Sequence, residues 1–142
     1  MGKRDIVKAH IDVRTLTQVA YYWDHIERSD SPEFRKVKQH FKDIGAKCFI
    51  NNGKCEGSIE IHHSLIEFAA SEGIDWEKVK KDFPNIDHVD DLDQMMPLCR
   101  KHHREQGFGI HNMEYGIWIL QKYMKPEVLE EFEKAVKLKL ND

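Results

Sequence analysis

The sequence predicts an α+β domain, mostly α, with a small β-hairpin and a structural metal site. Three observations lead there. Apolar residues recur at helical spacing in several segments, residues 48–62 change to strand-like alternation, and cysteines and paired histidines gather at the end of that stretch and again near residue 100.

The elements follow in order. Leu16, Val19, Ala20, Trp23 and Ile26 fall on one face of a helix expected over Thr15–Arg28. Ser31-Pro32-Glu33 supplies an N-cap, a first-turn proline and a first-turn acid for the next helix. Its stripe is Phe34, Val37, Phe41 and Ile44, and Gly45 stops it. Cys48-Phe49-Ile50 is β-prone, Asn52-Gly53 is a hairpin-turn signal, and Ser58–His62 alternates with period two. These predict a hairpin with Cys48 and Cys55 around its turn. Leu65–Glu72 reads as a short helix ending at Gly73, and Asp75–Asp82 as another, capped by Asp75 and stopped by Pro84. Residues 87–93 read as an acidic loop, Leu98–Glu105 as one or two helical turns, and Met113–Met124 as a helix. A final helix starts near Pro126, with Leu129, Phe132, Val136 and Leu140 on one face.

A chain of 142 residues fits a single domain, 1–142. Within it lie a helical region, 1–47, a core, 48–111, with an insertion at 65–93, and C-terminal helices, 112–142. No apolar run reaches the roughly 20 residues that span a bilayer, and the start, Met1-Gly2-Lys3-Arg4-Asp5, lacks a signal-peptide stretch. A cytoplasmic protein without membrane contact is expected. Three cysteines, an odd number, argue against a disulfide framework. The net charge of −3 averages two unlike segments. Residues 33–54 hold six Lys/Arg against two Asp/Glu, and residues 67–93 hold three against nine. Each could equally be a solvated face.

The chemistry-bearing residues form two clusters, Cys48-x6-Cys55-x6-His62-His63 and Cys99-x2-His102-His103. A tetrahedral zinc site takes four thiolate or imidazole ligands from two elements. Cys48, Cys55, Cys99 and His102 make such a Cys3His set, tying the hairpin to the segment at Cys99. The alternative is buried thiols packing as small apolar groups. Neighbours on a strand point apart, so one of His62 and His63 can bind a metal while the other faces a substrate. His103, next to His102, turns another way and can meet His62 at a second metal. Phosphodiester hydrolysis needs a base for water and a cation for the charge that develops on phosphate.

The run Cys48…Cys55…Ile61-His62-His63…Met96-Pro97-Leu98-Cys99-Arg100-Lys101-His102-His103 resembles the HNH (His-Me finger) endonuclease family. The likeness is to its zinc-stapled type, frequent in phages and mobile elements. It covers 48–111, under half the chain. The resemblance implies a ββα-metal core with flanking helices. It implies His62 and His103 as ligands of a catalytic divalent metal (Mg2+, Mn2+ or another), His63 as general base, and a structural Zn2+ on Cys48, Cys55, Cys99 and His102. Products would carry a 5′ phosphate. Where the family commonly has Asn, this chain has Gln94, with Asp93 as a second candidate. A further departure is the 35-residue gap between His63 and Cys99. His111 either lines the phosphate site, in a catalytic role, or is a third ligand. Arg100, Lys101 and Arg104 would contact the backbone of double-stranded DNA without reading sequence. Two other readings stand beside this one. One is a non-catalytic, zinc-stapled nucleic-acid-binding or interaction module; the other is a phage accessory nuclease active only beside a packaging or recombination partner.

Overall fold

A computed structural model describes residues 10–15, 17–19 and 31–141. About half of the described residues are helical, and two strands form one small antiparallel sheet. The helix expected over Thr15–Arg28 falls largely outside the described residues; residues 15 and 17–19 have no regular structure.

Helix α1 (Pro32–Asp43) begins as its sequence predicts. Ser31 Oγ accepts the Phe34 N–H at 3.0 Å, Pro32 opens the first turn, and Lys42 lies in the last turn, where a cation suits the helix dipole. Gly45, at φ +61°, turns the chain away. Phe34 and Val37 pack with Met95 into a core cluster, with Phe41 and Ile61 against it.

The expected hairpin about Asn52-Gly53 does not form. Strand β1 (Ile59–His63) pairs instead with β2 (Met95–Cys99), in register Ile59↔Cys99 and His63↔Met95. Residues 48–57 coil into a loop in which Asn51, Gly53 and Gly57 all take positive φ. One backbone–backbone bond links this loop to the outer edge of β2, from the Phe49 N–H to the Pro97 carbonyl at 2.8 Å. Pro97 has no N–H to return, so pairing on that edge stops there. Leu98 and Cys99 belong to the strand, and the short helix α3 (Arg100–Arg104) starts only after them. An apolar run as short as Met95–Leu98 has too few residues for periodicity to tell strand from helix.

Between the strands, residues 64–94 hold a short helix of 3-10 type (Phe68–Gly73), starting three residues later than the helix expected over Leu65–Glu72. They also hold α2 (Trp76–Asp82), capped by Asp75 as predicted, and a 3-10 turn at Leu92–Gln94. The helix expected over Met113–Met124 is two short pieces, α4 (Tyr115–Trp118) and α5 (Leu120–Tyr123). The backbone stays helical at Ile119, but a three-residue bond from Lys122 N–H to Ile119 O tightens the turn. Helix α6 (Pro126–Leu140) follows. A Cβ at Gly107 would lie 2.7 Å from Val136 Cγ1, so glycine is what lets α6 close on the chain after α3. The main core cluster is Cys48, Ile50, Leu98, Cys99 and Trp118. No helix among the described residues is long and apolar enough to cross a membrane.

Candidate metal centres

Cys48 and Cys55 come from the coiled loop, Cys99 ends β2 and His102 sits in α3. Their Sγ and Nδ1 atoms all lie within 4.8 Å of one another. His102 Nδ1 is 3.8, 3.6 and 3.2 Å from the sulfurs of Cys48, Cys55 and Cys99. Cys99 is also the N-cap of α3, its sulfur accepting the His102 N–H at 3.4 Å. Trp118 fixes this turn, donating from Nε1 to the His102 carbonyl at 2.9 Å.

The donor set suits a soft or borderline cation. Burial pushes the Cys48 thiol up, but hydrogen bonds to His102 and to the backbone of Cys99, Asn51 and Ile50 outweigh it and bring it to about 6. Burial and the neighbouring sulfurs of Cys48 and Cys99 push Cys55 up to about 12. Three thiols crowded together cannot all ionise without a positive charge between them. A metal such as zinc, which binds thiolates and imidazole tetrahedrally, removes that conflict.

The second cluster is made of imidazoles alone. His62, from β1, meets His103, from α3, and His111, from the 3-10 turn Ile110–Asn112, with one ring nitrogen of each within 4.8 Å of the others. The ring centroids are 4.7 to 5.3 Å apart. His62 is buried, His103 half-buried and His111 exposed, so the cluster opens to solvent on one side. Burial lowers the His62 pKa to about 3, helped by the charges of His111, His103 and His63. Burial and then His103 lower that of His111. Neutral imidazoles with facing lone pairs are what a divalent metal requires.

Two acids that sequence reasoning missed support His103 and His63. Glu60 Oε1 accepts from His103 Nδ1 at 2.8 Å, and Arg104 holds the same carboxylate through Nε (3.0 Å) and a terminal nitrogen (2.8 Å). Burial pushes the Glu60 carboxyl up, but the bonds from His103 and Arg104 outweigh it and hold it below its ordinary value. Glu60 lies two residues before His62, on the same face of β1, and that spacing was a readable signal. Asp90 gave none, being 27 residues from its partner. Its Oδ1 lies 3.1 Å from His63 Nε2, and Ser31 Oγ donates to its Oδ2 at 3.0 Å.

His63 points away from the imidazole cluster. It stacks on Phe34 at 5.3 Å, tilts against Phe68, and is 6% exposed. Gln94 is buried and fully bonded to backbone, accepting the Ile66 N–H at 2.8 Å and donating to the Val89 carbonyl. It braces the chain after β1 against the turn before β2. Asp93 is exposed. Lys101 does not face solvent as expected of a DNA contact. Its ammonium is buried, 2.8 Å from Glu133 and 3.4 Å from Glu56, and it donates to the Lys54 carbonyl. Arg100 is half-buried and pairs with Glu105 at 3.7 Å; Arg104 is exposed. Compared with family models, with curated proteins and with solved structures, the chain matched none.

Proposed function

We propose that this chain is a metal-dependent endonuclease of the HNH kind, hydrolysing phosphodiester bonds of DNA. The observation that carries the reading is the division of donors along one short stretch. Cys99 and His102 serve the four-donor cluster, while His103, the next residue, serves the three-histidine cluster. A Cys3His site with four protein donors, three of them buried and Cys55 nearer the surface, suits structural zinc. A three-imidazole site open on one side leaves room for water and phosphate.

His62, His103 and His111 would hold the catalytic divalent metal, Mg2+, Mn2+ or another. When bound, that ion supplies charge stabilisation for the phosphate and the leaving 3′ oxygen. Glu60 keeps the proton of His103 on Nδ1, leaving Nε2 for the metal. His63 is the general base. With its Nε2–H given to Asp90, its Nδ1 is the atom that takes a proton from water, and the carboxylate stabilises the imidazolium formed. Since the ring lies under Phe34, this role requires a water to reach Nδ1 past that side chain. The same burial favours a second reading, a zinc-stapled binding module in which His63–Asp90 is a structural pair.

Nicking of supercoiled plasmid in Mg2+ or Mn2+ separates the two. The endonuclease reading expects cleavage that is lost in both His62→Ala and His63→Ala, with zinc content and circular dichroism unchanged. Protein that carries zinc, binds a divalent metal and leaves the plasmid intact would sink it in favour of the module.

A further inference from the structure

A groove of about 860 Å³ runs between α1 and the edge of β1 that faces away from β2, away from the four-donor cluster. Phe34, Lys38, Phe41, Lys42 and Gly45 line one side, one face of α1 continued past its end. Ile59, Glu60 and Ile61 line the other, and His103 and Arg104 complete it. The groove therefore shares His103 with the imidazole cluster.

Its chemistry has two parts. Lys38 and Lys42 supply two cations, and Glu60, the one carboxylate in the lining, is matched by Arg104, so the lining carries an excess of positive charge. In a chain of net charge −3, this is a local concentration of positive charge. Phe41 and Ile61 contribute partly buried apolar surface, and Ile59 is 40% exposed. A duplex offers phosphates outward and keeps its bases stacked inside, so it would meet the cations and leave the apolar surface uncovered. An unpaired strand offers both, phosphates to cations and base faces to apolar side chains.

We infer that the groove between α1 and β1 binds an unpaired polynucleotide strand and leads it to the imidazole cluster at His103. The inference rests on the endonuclease reading for its choice of a nucleic acid, but it concerns binding and is tested without cleavage. The probe is a fluorescein-labelled twelve-nucleotide oligo-dT. Its anisotropy is followed on the full chain carrying His62→Ala, against a duplex of the same length. The strand is expected to bind more tightly than the duplex. Adding Lys38→Ala and Lys42→Ala together should weaken strand binding about tenfold at low salt. It should also reduce the slope of log K against log salt by about 1.4, near 0.7 for each lost phosphate contact. Ile59→Ser should weaken binding and leave the slope unchanged. Tighter duplex binding, or a lysine double variant that binds the strand as its parent does, overturns the inference. Strand binding without any plasmid nicking by the wild-type chain would sink the endonuclease reading and leave the groove standing. Nicking with lysine-independent binding would do the reverse.

Discussion

The Nε2 atoms of His103 and His111 lie 2.9 Å apart, and on the far side of the His103 ring Nδ1 lies 2.8 Å from Glu60 Oε1. A carboxylate accepts only, so the Glu60 contact puts a proton on His103 Nδ1, and in the neutral ring the lone pair is then on Nε2. Such outer acids orient a ligating histidine and raise its basicity. Glu60→Ala is therefore expected to weaken divalent-metal binding at this cluster by about 10- to 100-fold, with zinc content unchanged. Glu60→Gln should lose less, because its amide oxygen still accepts from Nδ1. Titration with Ni2+ by calorimetry measures both, and equal affinity in wild type and Glu60→Ala would remove the orienting role.

Acid should destabilise, through His62, the protein that keeps zinc on its Cys3His cluster and carries no metal on the imidazole cluster. Its folded-state pKa, about 3, lies below the ordinary histidine value of 6.5. Between those two values the unfolded chain binds a proton that the folded chain refuses. The stabilisation is thus fully present above pH 6.5 and is lost as pH falls toward 3. In His62→Gln, which has no such proton to refuse, the melting temperature should fall less steeply over that window. Parallel curves for the two chains between pH 6.5 and 4 would show that His62 contributes nothing.

The Cys3His cluster joins two separated pieces of chain, the loop 48–55 and the run from the end of β2 into α3. Cys99→Ser should therefore lower zinc to well below one per chain and abolish cooperative thermal unfolding. Structural zinc supplies about 10 kcal/mol or more in small zinc domains, comparable to the whole stability of a domain. Elemental analysis and near-ultraviolet circular dichroism report the two losses. A zinc-free chain that still melts cooperatively at an unchanged temperature would show that the core of Ile50, Leu98 and Trp118 suffices.

What the sequence revealed, and what it hid, follows the range of the interactions involved. Ser31-Pro32-Glu33 and Asp75 announced helix starts because capping is settled within a turn. The four sulfur and imidazole donors were legible from residue type and spacing. The strand partner was not, because Asn52-Gly53 signals a local turn while the pairing of β1 with β2 spans residues 64–94. Lys101 and Gln94 looked like site residues by position, and both are buried and bonded to protein groups that no local pattern names. Asp90 was hidden for the same reason, one acid among nine in residues 67–93. Glu60 was visible in principle, on the His62 face of the strand.

Lys101 joins α3 to α6 where a phosphate contact was expected. Its ammonium is 2.8 Å from Glu133 and lies 4.4 Å over the Phe108 ring. Both members of the pair are nearly inaccessible, at 1% and 4% exposure. Removing one charge strands the other in a medium that solvates it poorly. Lys101→Met should cost about 3–5 kcal/mol, read from urea unfolding. The double variant Lys101→Met, Glu133→Leu should recover most of that loss, because two apolar side chains of similar volume bury no uncompensated charge. Glu56 is exposed and keeps its hydration in either variant. Since Nζ never reaches solvent, the double variant should bind the labelled strand as the wild type does, unlike Lys38→Ala with Lys42→Ala. A double variant as unstable as Lys101→Met would mean that the aliphatic stem of Lys101, packed beside Phe108, matters more than its charge.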